Sequence, residues 1–237
     1  MTAAIEVKDL VVRYPRQEAV KHVSLEVAYG TCHGLFGRNG AGKTSLLRAL
    51  LGLIRPHAGT VKLFGLDLAT HEAEVKSKIA WVADTPGFHP WMTVSDVLAY
   101  SAALRPSWNH ALQAQLHERF QLDLAAPVKT LSKGQKTQVS LMCAISADPE
   151  LLILDEPTAG LDPIVRRQFI EAVIGVFQER APERKTVLVS THLISEFEGV
   201  IDRFTVMREG RAVLTADADD ARATEHGSLE DIFLKAA

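Results

Sequence analysis

The sequence predicts an α/β fold with a mainly parallel sheet, an N-terminal antiparallel β subdomain and an inserted α-helical lobe. Three observations carry this reading. Short apolar strands alternate with helices on both sides of the chain's middle, as in parallel sheets with crossover helices. A helical pattern from Thr93 to about Ala147 interrupts that alternation. Residues 37–45, Gly-Arg-Asn-Gly-Ala-Gly-Lys-Thr-Ser, fit G-x-x-x-x-G-K-[ST] without a mismatch, in a strand-to-helix setting.

Taken in order, Ile5–Tyr14 alternates as a strand, and Val20–Val27 and Gly59–Gly65 read as strands bounded by turn residues. Thr31–Phe36 is a short strand before the glycine-rich loop, and Thr44–Leu51 is the helix after it. Ile79–Ala83 closes the first strand-rich block. Thr93-Val94-Ser95-Asp96 has the residues of a helix start, continued through Leu104. Asn109–Phe120 and Ser132–Ser146 are the next two helices, the latter stopped by Asp148-Pro149. Leu151–Leu154 is a continuous apolar run, as expected of a strand buried on both faces. Val165–Glu179 reads as a helix, Thr186–Ser190 as a strand and Leu193–Val200 as a short helix. Phe204–Met207 and Ala212–Leu214 form a hairpin across Glu209-Gly210, and Ser228–Lys235 is a capped terminal helix. The expected division is a core of 1–84 and 148–215, a lobe of 85–147 and a tail helix within 216–237.

The loop names a ligand class. Gly37, Gly40 and Gly42 permit backbone conformations closed to other residues and let the chain approach a ligand. Arg38, Asn39 and Ala41 complete the loop, whose N–H groups and following helix start make an anion site. Lys43 reaches the β- and γ-phosphates of a nucleoside triphosphate, and the Thr44 hydroxyl is an expected Mg²⁺ ligand beside Ser45. Asp155 and Glu156 end the Leu151–Leu154 strand, where open α/β sheets bind ligands. Asp155 is placed to hold Mg²⁺ directly or through water, and Glu156 to polarise an attacking water.

Composition sets bounds. The 237 residues suit one large or two small domains, and the net charge of −3 gives no general attraction to nucleic acid or anionic lipid. Cys32 and Cys143 are far apart in apolar surroundings and read as small buried hydrophobes. Met-Thr-Ala-Ala-Ile-Glu does not read as a signal peptide, and no apolar run approaches a membrane span. A membrane role therefore calls for a partner that supplies the spans.

Leu131-Ser132-Lys133-Gly134-Gln135 is similar to the Leu-Ser-Gly-Gly-Gln signature of ATP-binding cassette proteins. With the phosphate loop, the acidic strand, Ala159-Gly160-Leu161-Asp162 and Ser190-Thr191-His192, the chain resembles that family nearly end to end. The resemblance implies a P-loop NTPase core and a single nucleotide-binding domain spanning 1–237. It implies that Tyr14 stacks on adenine, and that Ser132, Gly134 and Gln135 belong to a site for the opposing subunit's nucleotide. Asp162 matches a loop crossing the dimer interface, and His192 a histidine that contacts the γ-phosphate and helps hold water. Two positions depart from the pattern. Asp84 stands where glutamine is usual and remains a candidate Mg²⁺ ligand. Lys133 stands where glycine is usual, either adding charge near the opposing nucleotide or lying in solvent. These features, with Pro106-Ser107-Trp108, look like the compact ATPase subunits of bacterial exporters related to antibiotic-resistance systems.

The expected function is ATP hydrolysis (ATP and Mg²⁺ bound) in a head-to-tail pair, a homodimer or heterodimer, that drives an integral membrane permease. The resemblance places the chain in the cytoplasm, peripheral on the inner face of the cell membrane, with no nucleic-acid partner. The alternative is a cassette ATPase of DNA repair or translation. It fits less well, because the chain has no room for a long coiled coil and carries one cassette. A GTPase or small-molecule kinase would leave the signature and His192 unexplained, and no Asn-Lys-x-Asp sequence occurs.

Overall fold

The computed structural model describes residues 3–179, 185–225 and 227–236, so Met1 and Thr2 of the N-terminal stretch lie outside them. Two long strands open the chain, β1 (Ala3–Tyr14) and β2 (Gln17–Ala28), followed by β3 (Cys32–Phe36) and helix α1 (Lys43–Leu50). Then come β4 (Ala58–Leu63), β5 (Leu66–Asp67), α2 (Glu72–Ser77) and β6 (Ile79–Val82). The helical stretch holds α3 (Val94–Ala103), α4 (His110–Phe120) and α5 (Lys133–Ser146). The chain continues through β7 (Leu151–Asp155), α6 (Pro163–Glu179), β8 (Thr186–Thr191), β9 (Arg203–Arg208) and β10 (Arg211–Asp217). It ends in α7 (Ala218–Glu225) and α8 (Leu229–Ala236).

The strands form two sheets. One has the order β2-β1-β4-β5 and is antiparallel throughout. The other has the order β10-β9-β3-β8-β7-β6, parallel except for the β9–β10 hairpin. The period of two in the central strands divides the core. Phe36, Leu152, Leu154, Val187 and Val189 face one cluster, shared with α3, α4, α5 and α8. Leu35, Leu151, Ile153 and Leu188 face the other, shared with the antiparallel sheet and α1. Both faces of the parallel sheet are covered, which is why its strands read as unbroken apolar runs. Burial of a leucine at these positions is worth about 1.5–3 kcal/mol.

The expected alternation and inserted helices are present. The Thr93 start is a capping box, with the Asp96 N–H bonded to Thr93 Oγ1 at 3.1 Å and the Thr93 N–H to Asp96 Oδ2 at 2.9 Å. The helix expected over Leu193–Val200 is instead one 3₁₀ turn, Ile194–Glu196, followed by further turns. Ile194, Phe197 and Ile201 are buried by packing in the core, and that contact mimics helical spacing in a segment too short to offset helix nucleation. Helices α2 and α7 and the two-residue β5 were not foreseen. The tail therefore holds two helices and not one. Asp217 starts α7 by accepting the Asp219 N–H at 3.1 Å, a local cap hidden in the polar run Asp217-Ala-Asp-Asp.

His33 lies fully buried in the middle of β3, its Nε2 3.0 Å from Thr205 Oγ1, which in turn is 3.0 Å from Thr215 Oγ1. Burial, aided by the charge of Arg203, pushes its pKa down to about 3 from 6.5, so the folded imidazole is neutral. In the unfolded chain the same group takes up a proton below pH 6.5. Its stabilising contribution is thus complete above pH 6.5 and is lost as pH falls toward 3, at up to about 1.4 kcal/mol per pH unit. Urea unfolding at pH 4 to 7 should show a shallower pH dependence for His33→Gln than for the parent. Equal slopes would remove His33 as a source of acid sensitivity.

Candidate active site

All the catalytic candidates lie at the carboxyl ends of adjacent strands. The phosphate loop leaves β3, Asp155 and Glu156 leave β7, and Thr191-His192 leaves β8, with β3–β8 and β7–β8 paired in parallel. In-register pairing sets Asp155 opposite Ser190 and Phe36 opposite Thr191, so the loops emerge side by side. This is where a parallel sheet places its ligand.

The loop's glycines are needed for different reasons. Gly40 has φ +84° with open space around it, so only its conformation demands glycine. Gly42, at the N-cap of α1, has φ +102°, and a Cβ there would meet the Ala19 carbonyl at 2.3 Å. At Gly37 a Cβ would meet the Met207 carbonyl at 2.7 Å. The close approach at Gly37 and Gly42 is thus to the protein's own backbone. The Gly210 N–H donates to the Ala41 carbonyl at 3.0 Å, and the Gly210 carbonyl accepts from Lys21 N–H at 2.7 Å. The β9–β10 turn therefore buttresses the loop, a role the sequence did not reveal because Glu209-Gly210 has an ordinary hairpin pattern.

Lys43 is 5% exposed and needs counter-charge. Its Nζ donates to the Gly37 carbonyl at 2.6 Å and lies 3.0 Å from Glu156 Oε1. The other oxygen of Glu156, Oε2, lies 2.7 Å from His192 Nδ1 and accepts the His192 backbone N–H at 3.3 Å. A carboxylate only accepts, so the proton of this bond sits on Nδ1. Glu156 holds φ +45°, strained for a non-glycine residue, with its N–H bonded to Ser190 O at 2.8 Å.

Asp155 is buried at the end of β7, and burial raises its pKa against the opposing pull of the Thr44 and Ser190 hydroxyls. Thr44 Oγ1 donates to Asp155 Oδ1 at 3.5 Å. This hydroxyl and carboxylate can hold a hard cation that takes its remaining oxygens from phosphate and water. Among the described residues there is no group of three or more His, Cys, Asp or Glu able to hold a metal alone. The start of α1 has neither a side-chain cap nor an acid in its first turn, leaving N–H groups for an anion. Tyr14 reaches the same place, its hydroxyl accepting from Ser45 Oγ at 3.4 Å. Arg38 and Asn39 are exposed on the loop.

The signature residues lie at the start of α5. Ser132 and Gln135 make a capping box for α5, with Gln135 N–H to Ser132 Oγ at 3.2 Å and Ser132 N–H to Gln135 Oε1 at 3.0 Å. A Cβ on Gly134 would meet Val165 Cγ1 at 3.2 Å, so its glycine lets α5 pack on α6. Asp162 caps α6 by accepting the Ile164 and Val165 N–H groups at 3.1 and 3.0 Å. Asp84 Oδ1 pairs with Lys133 Nζ at 3.1 Å, and no hydrogen bond joins Asp84 to Thr44 or Asp155 among the described residues.

A match to the ABC transporter family covers residues 20–159. The chain is 32% identical over 97% of its length to the bacitracin transport ATP-binding protein BcrA of Bacillus licheniformis, covering 75% of that protein. The chain belongs to the ABC transporter family. It is also 36% identical, over 89% of its length and 70% of the relative's, to the Nod factor export ATP-binding protein I of Burkholderia orbicola. Its fold superposes with a TM-score of 0.86 on a solved structure of the ATP-binding subunit of an ABC transporter, at 28% identity and 98% coverage of both chains. The ABC chain is thus an ATP-binding ATPase subunit coupled to transport, and the DNA-repair or translation reading is not favoured.

Gly210 gives a test of the buttress, since a side chain there meets the Ala19 carbonyl at 2.9 Å and carries φ +82°. Strain of about 1–2 kcal/mol relieved by a shift of the loop would weaken ATP binding roughly tenfold in Gly210→Ala. Equilibrium titration with ATP, beside a circular dichroism check of folding, reads this. Unchanged affinity in the folded variant would exclude the buttress.

Proposed function

We propose that this chain is the ATP-hydrolysing subunit of an exporter, working in a pair of nucleotide-binding subunits on an integral membrane permease. The observation that carries the mechanism is the position of Glu156, whose two oxygens face Lys43 and His192. The phosphate loop, from Gly37 to Ser45, binds the triphosphate, with Lys43 as the charge that meets it. Phosphate and Glu156 compete for the same ammonium, so triphosphate binding frees one Glu156 oxygen. The freed carboxylate takes a proton from water while the water oxygen attacks the terminal phosphorus and ADP leaves. His192, held through Nδ1, presents Nε2 toward that reacting group. Mg²⁺, held by Thr44 and Asp155 with Asp84 as a further candidate, would neutralise charge on the phosphates. Tyr14 supplies a face for adenine.

Membership of the ABC transporter family supports sharing each nucleotide between opposing subunits. Ser132, Gly134 and Gln135 then serve the partner's nucleotide, with Asp162 at the interface. We assign the core to 1–84 and 148–215, the helical lobe to 85–147 and the tail to 216–237. Trp91, Tyr100 and Leu104 are 73%, 60% and 66% exposed between residues 85 and 147, which supports docking of that stretch on the permease. No helix among the described residues is long and apolar enough to cross a membrane, so a position on the inner face of the cell membrane rests on the partner. The export and transport names of the relatives support the exporter reading.

Glu156→Gln should retain ATP binding and lose turnover by about 10²–10⁴-fold, leaving an ATP-bound pair visible by size-exclusion chromatography. Turnover close to the parent's would remove Glu156 as the base. Affinity capture of the tagged chain from detergent-solubilised membranes should bring down a polytopic membrane protein. Capture of ribosomes or DNA in its place would contradict the transport assignment.

A further inference from the structure

The two positions that depart from the family pattern touch each other. Asp84 follows β6 and Lys133 is the first residue of α5, yet their charges meet at 3.1 Å across 49 residues of chain. The first turn of α5 carries Lys133 and Lys136 and no acid, a poor match to the positive end of a helix dipole. Asp84 supplies the missing negative charge from outside the helix. The Lys133 ammonium also lies over the loop after β7, 3.8 Å from where a Cβ on Gly160 would stand.

We propose that Lys133 is a positioning residue that acts through Asp84, and that their ion pair is a clasp setting the resting place of the α5 start against the exit of β6. The arrangement repeats in outline what Lys43 and Glu156 do inside the site: a cation at a helix start is held by a carboxylate just past a strand end. Opening the clasp releases Lys133 to face a phosphate and Asp84 to reach a cation, so either event favours the other.

Magnitude decides what such a pair can do. Both side chains are about half exposed (47% and 48%), so the pair shifts an equilibrium by no more than about fivefold. That is too little to alter global stability appreciably. It is enough to bias the position of one helix start, which needs only a small difference between two placements. The clasp itself stands on the ion pair. Only its consequence for the Asp84 carboxylate rests on the proposed function.

The test is amide hydrogen exchange on the full-length, nucleotide-free protein, at low salt, for the amides of Gly134 to Lys136 and of Thr85. Lys133→Ala and Asp84→Asn should each speed exchange there by about two- to fivefold, and the double variant by no more than either alone. The charge reversal Asp84→Lys/Lys133→Asp should return to the parent rate, whereas Lys133→Asp alone should not, although an acid suits a helix start. About 0.5 M NaCl should erase the difference between parent and single variants. Unchanged exchange in the single variants, additive effects in the double, or failure of the reversal to restore protection would overturn the clasp. ATPase activity is no part of this readout, so a chain with the clasp but no turnover would sink the proposed function alone.

Discussion

The site depends on one buried cation. Lys43 is almost wholly removed from water at the start of α1, and a buried ammonium persists only with close counter-charge and acceptors. The Gly37 carbonyl and Glu156 provide them. The first bond closes the phosphate loop on itself. The second joins that loop to the end of β7, and Glu156 passes the connection on to His192 after β8. Three loops far apart in sequence are thus fixed around one charge.

This is only possible because the strands beneath are parallel and in register. β3, β8 and β7 end at one edge, and their alternating side chains anchor them in both hydrophobic clusters. A slip of one residue in β7 would turn Leu152 and Leu154 to the other face and carry Asp155 away from Thr44. The same backbone tolerates no side chain at Gly37 or Gly42, because β2 and the β9–β10 hairpin press against the loop. Chemistry and packing therefore share residues, and the strain at Glu156 is held in place by a scaffold that is rigid on both sides.

Much of this was legible from residue order. Apolar runs such as Leu151–Leu154 announce strands buried on both faces, and Thr93 with Asp96, or Ser132 with Gln135, announce helix starts through caps that are local in sequence. What was not legible depends on distant contacts. Leu193–Val200 carries apolar residues at helical spacing, but core packing and not a helix uses them. The buttress at Gly210 joins residues far apart in sequence, Ala41 and Lys21, through backbone groups that have no sequence signal. Asp84 and Lys133 each stood out alone, and only the folded chain shows that they meet. Ser132 and Gly134, proposed as nucleotide contacts, have complete local duties in capping and packing α5.

The most direct measurement is a double-mutant cycle on the unfolding free energy of the nucleotide-free protein, with Lys43→Met and Glu156→Met. If the buried pair organises the site, each single change strands a charge and costs roughly 3 kcal/mol, while the double variant recovers much of that loss. Costs that simply add would contradict it, because the two charges would then be stabilised by other groups and the three loops would not be tied through Lys43.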